Sequence, residues 1–467
     1  MDTNYPITPA PKGLAILAVL GPAIVWCAEY IGSGEVILAT RMGAILGYAV
    51  LWAPVLVIIL KTFIGAGGAH YTVCTGEGMI DMFGRMPGKG KWAVWIVLVG
   101  QFLAGAISMG GLASASGVFA NSILPLKAFI WGWIITIFAI FIVWSGTFNI
   151  MKYIMSMLVF IIIIGVTYVT IHTFPGWHEM ISGLIGFHIP EVPQWAILHE
   201  NVSPNPWKEL LPLIGWAAGG FASQVWYTYW VLGAGYGMAR GRSYGIPCDT
   251  GVLKKMTAEN ARKIKAWCKI VCIDASIAMV IGVIATSCFL LSGASVLHTA
   301  HIAPQGSQVA LELSTIFSQI WGKSGGTLFM IAGLAALTST LIAQFAGWPR
   351  LLADSFRICI PKFNQTFQWS TQFRLFISFF FITNMFIIYT LGIKPVSLIK
   401  LSAVFEGLLL APFQAFAVLI GLVWILPRLL SKEAWNILKP HWILIGGLIL
   451  AGCVFGYFCI FKTVALL

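Results

Sequence analysis

Long apolar runs, separated by short polar loops, recur along most of this chain. Phe160-Ile161-Ile162-Ile163-Ile164 is typical: it is apolar on every side, without the alternation of a half-buried strand. Each run reaches roughly 20 residues, enough to cross a hydrocarbon core of about 30 Å. Backbone polar groups in lipid must pair internally, in helices or closed barrels. Barrel strands alternate apolar and polar residues, so the pattern predicts helices. About eleven spans follow, near 13–45, 46–68, 92–121, 127–147, 150–173, 208–236, 265–294, 326–347, 371–392, 397–426 and 440–464.

Two spans are interrupted in the same way. The first breaks at Gly32-Ser33-Gly34, followed by Glu35; the sixth breaks at Ala218-Gly219-Gly220, ahead of Phe221-Ala222-Ser223-Gln224. A glycine costs about 1 kcal/mol in a helix interior, and a cluster lets the chain leave helical geometry. Unwound backbone at membrane depth survives only where it lines a cavity or is buried in protein. The breaks lie five spans apart, as expected of a 5+5 inverted repeat with its site between two broken helices. Close helix packing through small residues is the plainer reading, and it suits one break better than two at matching positions. The expected organisation is a cytoplasmic tail at 1–12, a first repeat at 13–173 and an external loop at 174–207. A second repeat at 208–426 and a final segment at 427–467 with the last helix complete it.

Composition supports the membrane reading. Hydrophobic residues fill 59% of 467 positions and charged residues 9%, against about 25% charged in a water-soluble domain. The net charge of +12 would suit nucleic acid, but the basic residues sit in short loops. Arg85, Lys89 and Lys91 share one side with the cluster Arg240 to Lys265, with Arg350, Arg357 and Lys362, and with Arg428, Lys432 and Lys439. The loop at 174–207 has no Lys or Arg. The positive-inside rule then places the N-terminus in the cytoplasm and the C-terminus outside, in a bacterial cytoplasmic (inner) membrane. The lipid bilayer is the expected partner; nucleic acid is not. The first apolar stretch is too long for a cleaved signal. Nine cysteines form no CxxC pair and read as small buried hydrophobes. His298 and His301 have ligand-like spacing but read as solvated loop residues.

Further residues carry a family resemblance. Gly21-Pro22-Ala23, Tyr30-Ile31-Gly32-Ser33-Gly34-Glu35, Gly43-Ala44, Gly47-Tyr48 and Leu51-Trp52 resemble, without a gap, the first two helices of the Nramp family of metal transporters. Thr75-Gly76, Asp274 with Ile277-Ala278-Met279, Ala335-Ala336 with Ser339-Thr340, and Ser402 with Val404 extend the resemblance. It implies an all-α, LeuT-like fold, spans one to five and six to ten forming the repeats, and proton-coupled import of divalent transition metals. The family's metal ligands are replaced. Its Asp-Pro-Gly-Asn reads Gly32-Ser33-Gly34-Glu35 here, and its Met-Pro-His reads Phe221-Ala222-Ser223. A second family histidine falls at Thr228, and the glutamine of the tenth span at Ala403. The chain therefore resembles an outlying Nramp-related branch.

Ionisable residues inside spans are functional candidates. Four carboxylates qualify: Glu29, Glu35, Asp274 and Glu406. Glu35 opens the second half-helix, where the dipole favours its charge; it either binds a cation, with carbonyls freed at Gly32 and Ser33, or only caps the half-helix. Glu29, about 9 Å earlier along an ideal helix, is a second ligand or an entrance charge. Asp274 and Glu406 are candidates for proton coupling or gating. No deep base obviously neutralises them; Arg41, Lys61 and Lys152 are the nearest candidates, each also long enough to snorkel toward an interface. Gly219, Gly220, Phe221, Ala222 and Ser223 complete the substrate-site candidates, with Glu35 the metal ligand. Trp216, Phe221, Trp226, Tyr227, Tyr229 and Trp230 either fill a core or cage an organic cation. Oxygen ligands alone would suit a hard ion such as Mg²⁺.

No P-loop or HExxH motif is present, so neither an enzyme nor a cofactor is expected. The sequence is read as a secondary active transporter working by alternating access. Its substrate is a divalent metal such as Mn²⁺ or Mg²⁺ with H⁺ as coupling ion, or alternatively an organic cation or other small organic solute. A non-transporting membrane sensor would usually add a large soluble domain, which the sequence lacks.

Overall fold

The computed structural model describes residues 7–145, 148–304, 309–391 and 395–463. Residues 1–6 of the expected tail, 146–147 of the fourth expected span, 392 of the ninth and 464 of the last lie outside them. The described chain is helical, with no strand among the described residues. A π-helical turn at Gly34–Ala39 follows α1 (Pro22–Tyr30) and leads into α2 (Thr40–Leu46). The order continues with α3 (Trp52–Thr75), α4 (Met79–Gly84), α5 (Trp92–Ile123), α6 (Ala128–Val143), α7 (Phe148–Thr173), α8 (Trp177–Ile185) and α9 (Gln194–Glu200). After these come α10 (Trp207–Trp216), α11 (Phe221–Ala234), α12 (Thr250–Lys254), α13 (Ala258–Ser292) and α14 (Val309–Cys359), which turns at Gly322. The chain ends with α15 (Pro361–Thr366), α16 (Trp369–Leu391), α17 (Pro395–Ser402), α18 (Ala411–Ile420), α19 (Leu426–Leu429), α20 (Lys432–Leu438) and α21 (Trp442–Tyr457).

Among the described residues, seven helices are long and apolar enough to cross a membrane. The pair Pro22–Tyr30 and Gly34–Val50, bent by 45°, makes an eighth if counted as one span, and Ala128–Val143 and Asn149–Gly165 are shorter apolar helices. Outer faces carry large apolar side chains, Phe141 at 81% exposure among them, with Phe160, Phe386 and Phe461. In water such a belt would be a liability; against lipid tails it is the matching surface.

The second helix runs Trp52–Thr75, displaced from the expected 46–68. Apolar periodicity cannot choose a start inside a continuous apolar stretch, and punctuating residues do. Gly47 takes φ +66° and ends α2. Pro54 lies in the first turn of α3, where its missing N–H costs nothing. Gly76 then closes α3 in the left-handed region at φ +75°, its N–H bonded to the Thr72 carbonyl at 2.7 Å. That is a glycine C-terminal cap. Around the middle of the bundle, α1 packs among α7, α11, α13 and α14, while α3 packs on α11, α13 and α21. Both interrupted helices thus lie inside, walled by other helices.

Candidate functional site

The helix-one break occupies Ile31, Gly32 and Ser33. α1 stops at Tyr30, and Ile31 swings to ψ +83°. Helical geometry resumes at Gly34, with Glu35 in the first turn. Glu35 Oε2 accepts from the Gly32 N–H at 3.0 Å, and the Thr286 hydroxyl reaches Oε1 at 3.5 Å. A carboxylate three residues on, bonded to an orphan N–H, closes the helix start in the manner of a capping box. The glycines also permit close approach: a Cβ on Gly32 would collide with Thr340, and one on Gly34 would sit 2.6 Å from Trp216 Cδ1. The Ser33 hydroxyl is buried without a hydrogen-bond partner, which a buried polar atom rarely tolerates.

The second break, between α10 and α11, is built from farther away. α10 ends at Trp216, and Ala218 and Gly219 take φ +58° and +71°. For alanine, left-handed geometry costs about 1–2 kcal/mol. Gln224 steadies the turn by donating to the Ala218 carbonyl at 2.9 Å. Two long-range side chains close the exposed helix ends. Lys61, from α3, donates to the Gly215 and Gly219 carbonyls, both at 2.6 Å. Glu406, in the π-helical turn Ala403–Leu408 after α17, accepts from the Ala222 N–H at 2.5 Å. A cation thus caps the carbonyl end of α10 and an anion caps the amide end of α11, each matching the local dipole.

The two breaks are joined through Glu29, whose carboxylate accepts from the Ser223 hydroxyl, while Trp26 Nε1 donates to Ser223 Oγ at 3.0 Å. Thr340 donates to the Glu29 carbonyl oxygen at 2.5 Å. The charges of Glu406, Glu35 and Glu29 all act on Lys61. The centre is closed, with Glu35 at 0%, Lys61 at 1%, Glu406 at 2% and Glu29 at 3% exposure.

The structure therefore brings together Glu29, Glu35, Glu406, Gly219, Gly220, Ala222 and Ser223 around the breaks. Asp274 bonds elsewhere, accepting from the Tyr227 hydroxyl at 2.8 Å. Phe221 turns its ring toward Phe83 and Phe413, with centroids 6.1 and 6.3 Å away. The helix-six aromatics are largely occupied. Trp226 meets Trp348 edge-on at 4.9 Å, and Trp26 stacks on Tyr227 at 4.3 Å. Trp230, Tyr244 and Phe373 surround the Arg350 guanidinium at 4.7 to 5.8 Å. Of the six aromatics, Trp230 is thus taken up by an internal arginine. Sequence reasoning left Lys61 open as one of three candidate countercharges or as a snorkelling base; the structure holds it at the centre. A lone lysine in the middle of a 24-residue helix was the available signal. Arg41 serves another partner, bonding Glu209 at 3.0 Å beside Lys400 at 2.5 Å.

Below the breaks, a second charged group closes the loop after α3. Glu77 accepts from Arg85 at 2.8 and 3.0 Å, from the Tyr71 hydroxyl at 2.5 Å and from the Cys248 N–H at 2.7 Å. Burial works against the Glu77 charge, but Arg85 prevails and holds its carboxyl below the ordinary value. Asp81, nearby on α4, pairs with Arg357 at 2.6 Å. Its burial outweighs the arginine and pushes its carboxyl up to about 7.

Chemically, apart from the charged Lys61 ammonium, which has no lone pair to offer a metal, the centre offers oxygen donors: three carboxylates, the Ser33 and Ser223 hydroxyls and the loosened carbonyls. Such donors suit hard cations, and no thioether or imidazole is among the groups gathered there.

The sequence profile of natural resistance-associated macrophage protein-like (Nramp) proteins matches residues 23–199 and 249–451. An Eremococcus coleocola manganese transporter, crystallised with an aromatic bis-isothiourea substituted compound, superposes with a TM-score of 0.63 at 16% identity. That superposition covers 98% of this chain and 90% of the other. MhsT, crystallised with L-phenylalanine, gives a TM-score of 0.51 at 14% identity over 92% of this chain and 97% of its own. These likenesses give the LeuT-like fold. Protein PM0681 of Pasteurella multocida is 26% identical over 110 residues, 24% of this chain and only a quarter of that protein's length.

Proposed function

The chain belongs to the Nramp family, and on that premise we propose that it is a secondary active transporter of a hard divalent cation such as Mg²⁺ or Mn²⁺. The carrying observation is the convergence of Glu29, Glu35 and Glu406 on two broken helices around Lys61. Three carboxylates against one ammonium leave the centre anionic when all are charged, and a divalent ion restores neutrality. Lys61 stands where a carbonyl-bound cation would stand, between Gly215 and Gly219. An arriving ion displaces the ammonium from these two carbonyls while Lys61 keeps its charge, and a proton carried inward on Asp274 couples transport to H⁺. Glu35 and Glu406 then exchange backbone N–H partners for the ion. Asp274, bonded to Tyr227, gates the path on the α13 side. Alternating access follows from one repeat, 13–173, rocking against the other, 208–426, within about eleven spans. In this reading the N-terminus is cytoplasmic, the C-terminus external, and the membrane the bacterial inner one.

A second reading, a small organic solute on the same scaffold, is favoured by two observations. Lys61 already fills the carbonyl site that a metal or coupling ion would use, and the related fold of MhsT was crystallised with L-phenylalanine. Uptake into liposomes separates the two. Mg²⁺, Mn²⁺ and a panel of amines and amino acids are offered to wild type and Glu35→Gln, with and without a pH gradient. Divalent uptake that rises with an inward proton gradient and falls in Glu35→Gln is expected. Uptake of an organic solute alone would overturn the metal reading, and normal uptake by Glu35→Gln would overturn the site.

A further inference from the structure

Away from the breaks, two thiols and an imidazole meet inside the bundle. His70 and Cys74 lie one turn apart on α3, and Cys268 faces them from α13. All three are buried. The Cys74 and Cys268 sulfurs are 3.8 Å apart, and the ligand atoms of the three side chains all lie within 4.8 Å of one another. The sequence reading made these cysteines inert hydrophobes; helix packing brings together residues 194 positions apart.

The histidine is already oriented. Its Nε2 lies 2.9 Å from the Leu438 carbonyl at the end of α20. A carbonyl only accepts, so Nε2 carries the proton and Nδ1 keeps its lone pair. Metal-bound histidines are held in this way, with one N–H tied to a carbonyl and the other nitrogen presented to the ion. The sulfur spacing fits as well. Two Zn–S bonds of about 2.3 Å at the tetrahedral angle set their sulfurs about 3.8 Å apart.

We propose that His70, Cys74 and Cys268 form a binding site for a thiophilic divalent ion, zinc by its chemistry, that clamps α3 to α13. On binding, each thiol releases its proton to solvent and forms one metal–sulfur bond. Two thiolates against one divalent ion give a neutral set, which suits a buried position. Donor type separates this site from the broken-helix centre: sulfur and nitrogen here, oxygen there.

The test uses the full-length protein in detergent, stripped with a chelator and titrated with Cd²⁺ and Zn²⁺. Wild type is expected to bind about one ion per chain at this site and to show the ultraviolet thiolate-to-Cd²⁺ charge-transfer band. Cys74→Ser and Cys268→Ser should abolish the band, and His70→Ala should weaken binding at least about tenfold. Glu35→Gln and the control Cys272→Ser should keep it. Absence of the band in wild type overturns the proposal whatever the variants do, as does an equal band in both serine variants. Because the readout needs no transport, its failure is independent of the proposed function.

Discussion

The two breaks look alike in the sequence and are held in different ways. Both release backbone through glycine, and both restart a helix with a glutamate on an orphan N–H. At the first break that glutamate is local: Glu35 reaches back three residues to Gly32. At the second, the glutamate comes from 184 residues away and the lysine from 154 and 158 residues away. A self-capped break keeps its shape wherever its helix goes. A break capped by its neighbours keeps its shape only while they stay, so it can report their movement. The second break is therefore the one we expect to change between outward and inward states.

Removing the distant cation should do the most damage. Lys61→Met leaves the Gly215 and Gly219 carbonyls unpaired and three carboxylates without their nearest countercharge. Breaking a buried charged arrangement on one side costs about 3–5 kcal/mol, read as a fall in thermal midpoint in detergent and as lost uptake. A variant as stable as wild type would mean that the second break holds itself, and the contrast between the breaks would fail.

Sterics test the same contrast at Gly220. A Cβ there would fall on the Glu406 carboxylate, while φ of −84° is open to any residue. The cost of Gly220→Ala is thus purely one of space. Glu406 cannot yield without releasing Ala222, so a loss of about 3 kcal/mol, at the upper end for overpacking, is expected. Repacking with Glu406→Asp should recover part of it, and no recovery would place the clash elsewhere.

What could be read in advance follows the same division. Both breaks, the membrane-spanning helices and the carboxylates were legible, because glycine clusters, apolar runs and charges in lipid are local signals. Glu35 as a cap was legible too, since its partner is three residues away. Lys61 could not be singled out from Arg41 and Lys152 as the countercharge because nothing nearby in sequence indicates that α3 passes the end of α10. The fates of Asp274 and the helix-six aromatics depended likewise on Tyr227 and Arg350, set by helix packing alone. The start of α3 was misplaced for a different reason: Gly47 and Pro54 were read as parts of one apolar run.

Glu77 extends the comparison to a carboxylate outside the spans that has both kinds of partner, Arg85 eight residues away and the Cys248 N–H 171 residues away. Its partner Arg85 is 27% exposed in its side chain, so screening reduces the loss in Glu77→Gln to about 2 kcal/mol at pH 7. The sign with pH follows from linkage. A carboxyl held below its ordinary value of 4.5 contributes stability that is full above that value and lost as pH falls through the lowered one. Wild type should therefore keep its advantage over Glu77→Gln from pH 7 to about 5, and lose it below 4.5. Thermal midpoints of both proteins across that range measure it; an advantage already gone at pH 6 would mean that Arg85 does not hold the charge.

The smallest stability effect should come from Glu35→Gln. Glutamine keeps a carbonyl oxygen that can accept from Gly32, so the local cap survives the loss of charge. One charge-assisted bond becomes neutral, which costs about 1 kcal/mol or less. Uptake should nevertheless collapse, because a neutral amide binds a divalent ion far less well than a carboxylate does. A fold left intact with transport lost would show that the self-capped break keeps its charge for the cargo. A stability loss as large as that of Lys61→Met would instead make Glu35 a structural charge, and the two breaks would then differ only in where their caps originate.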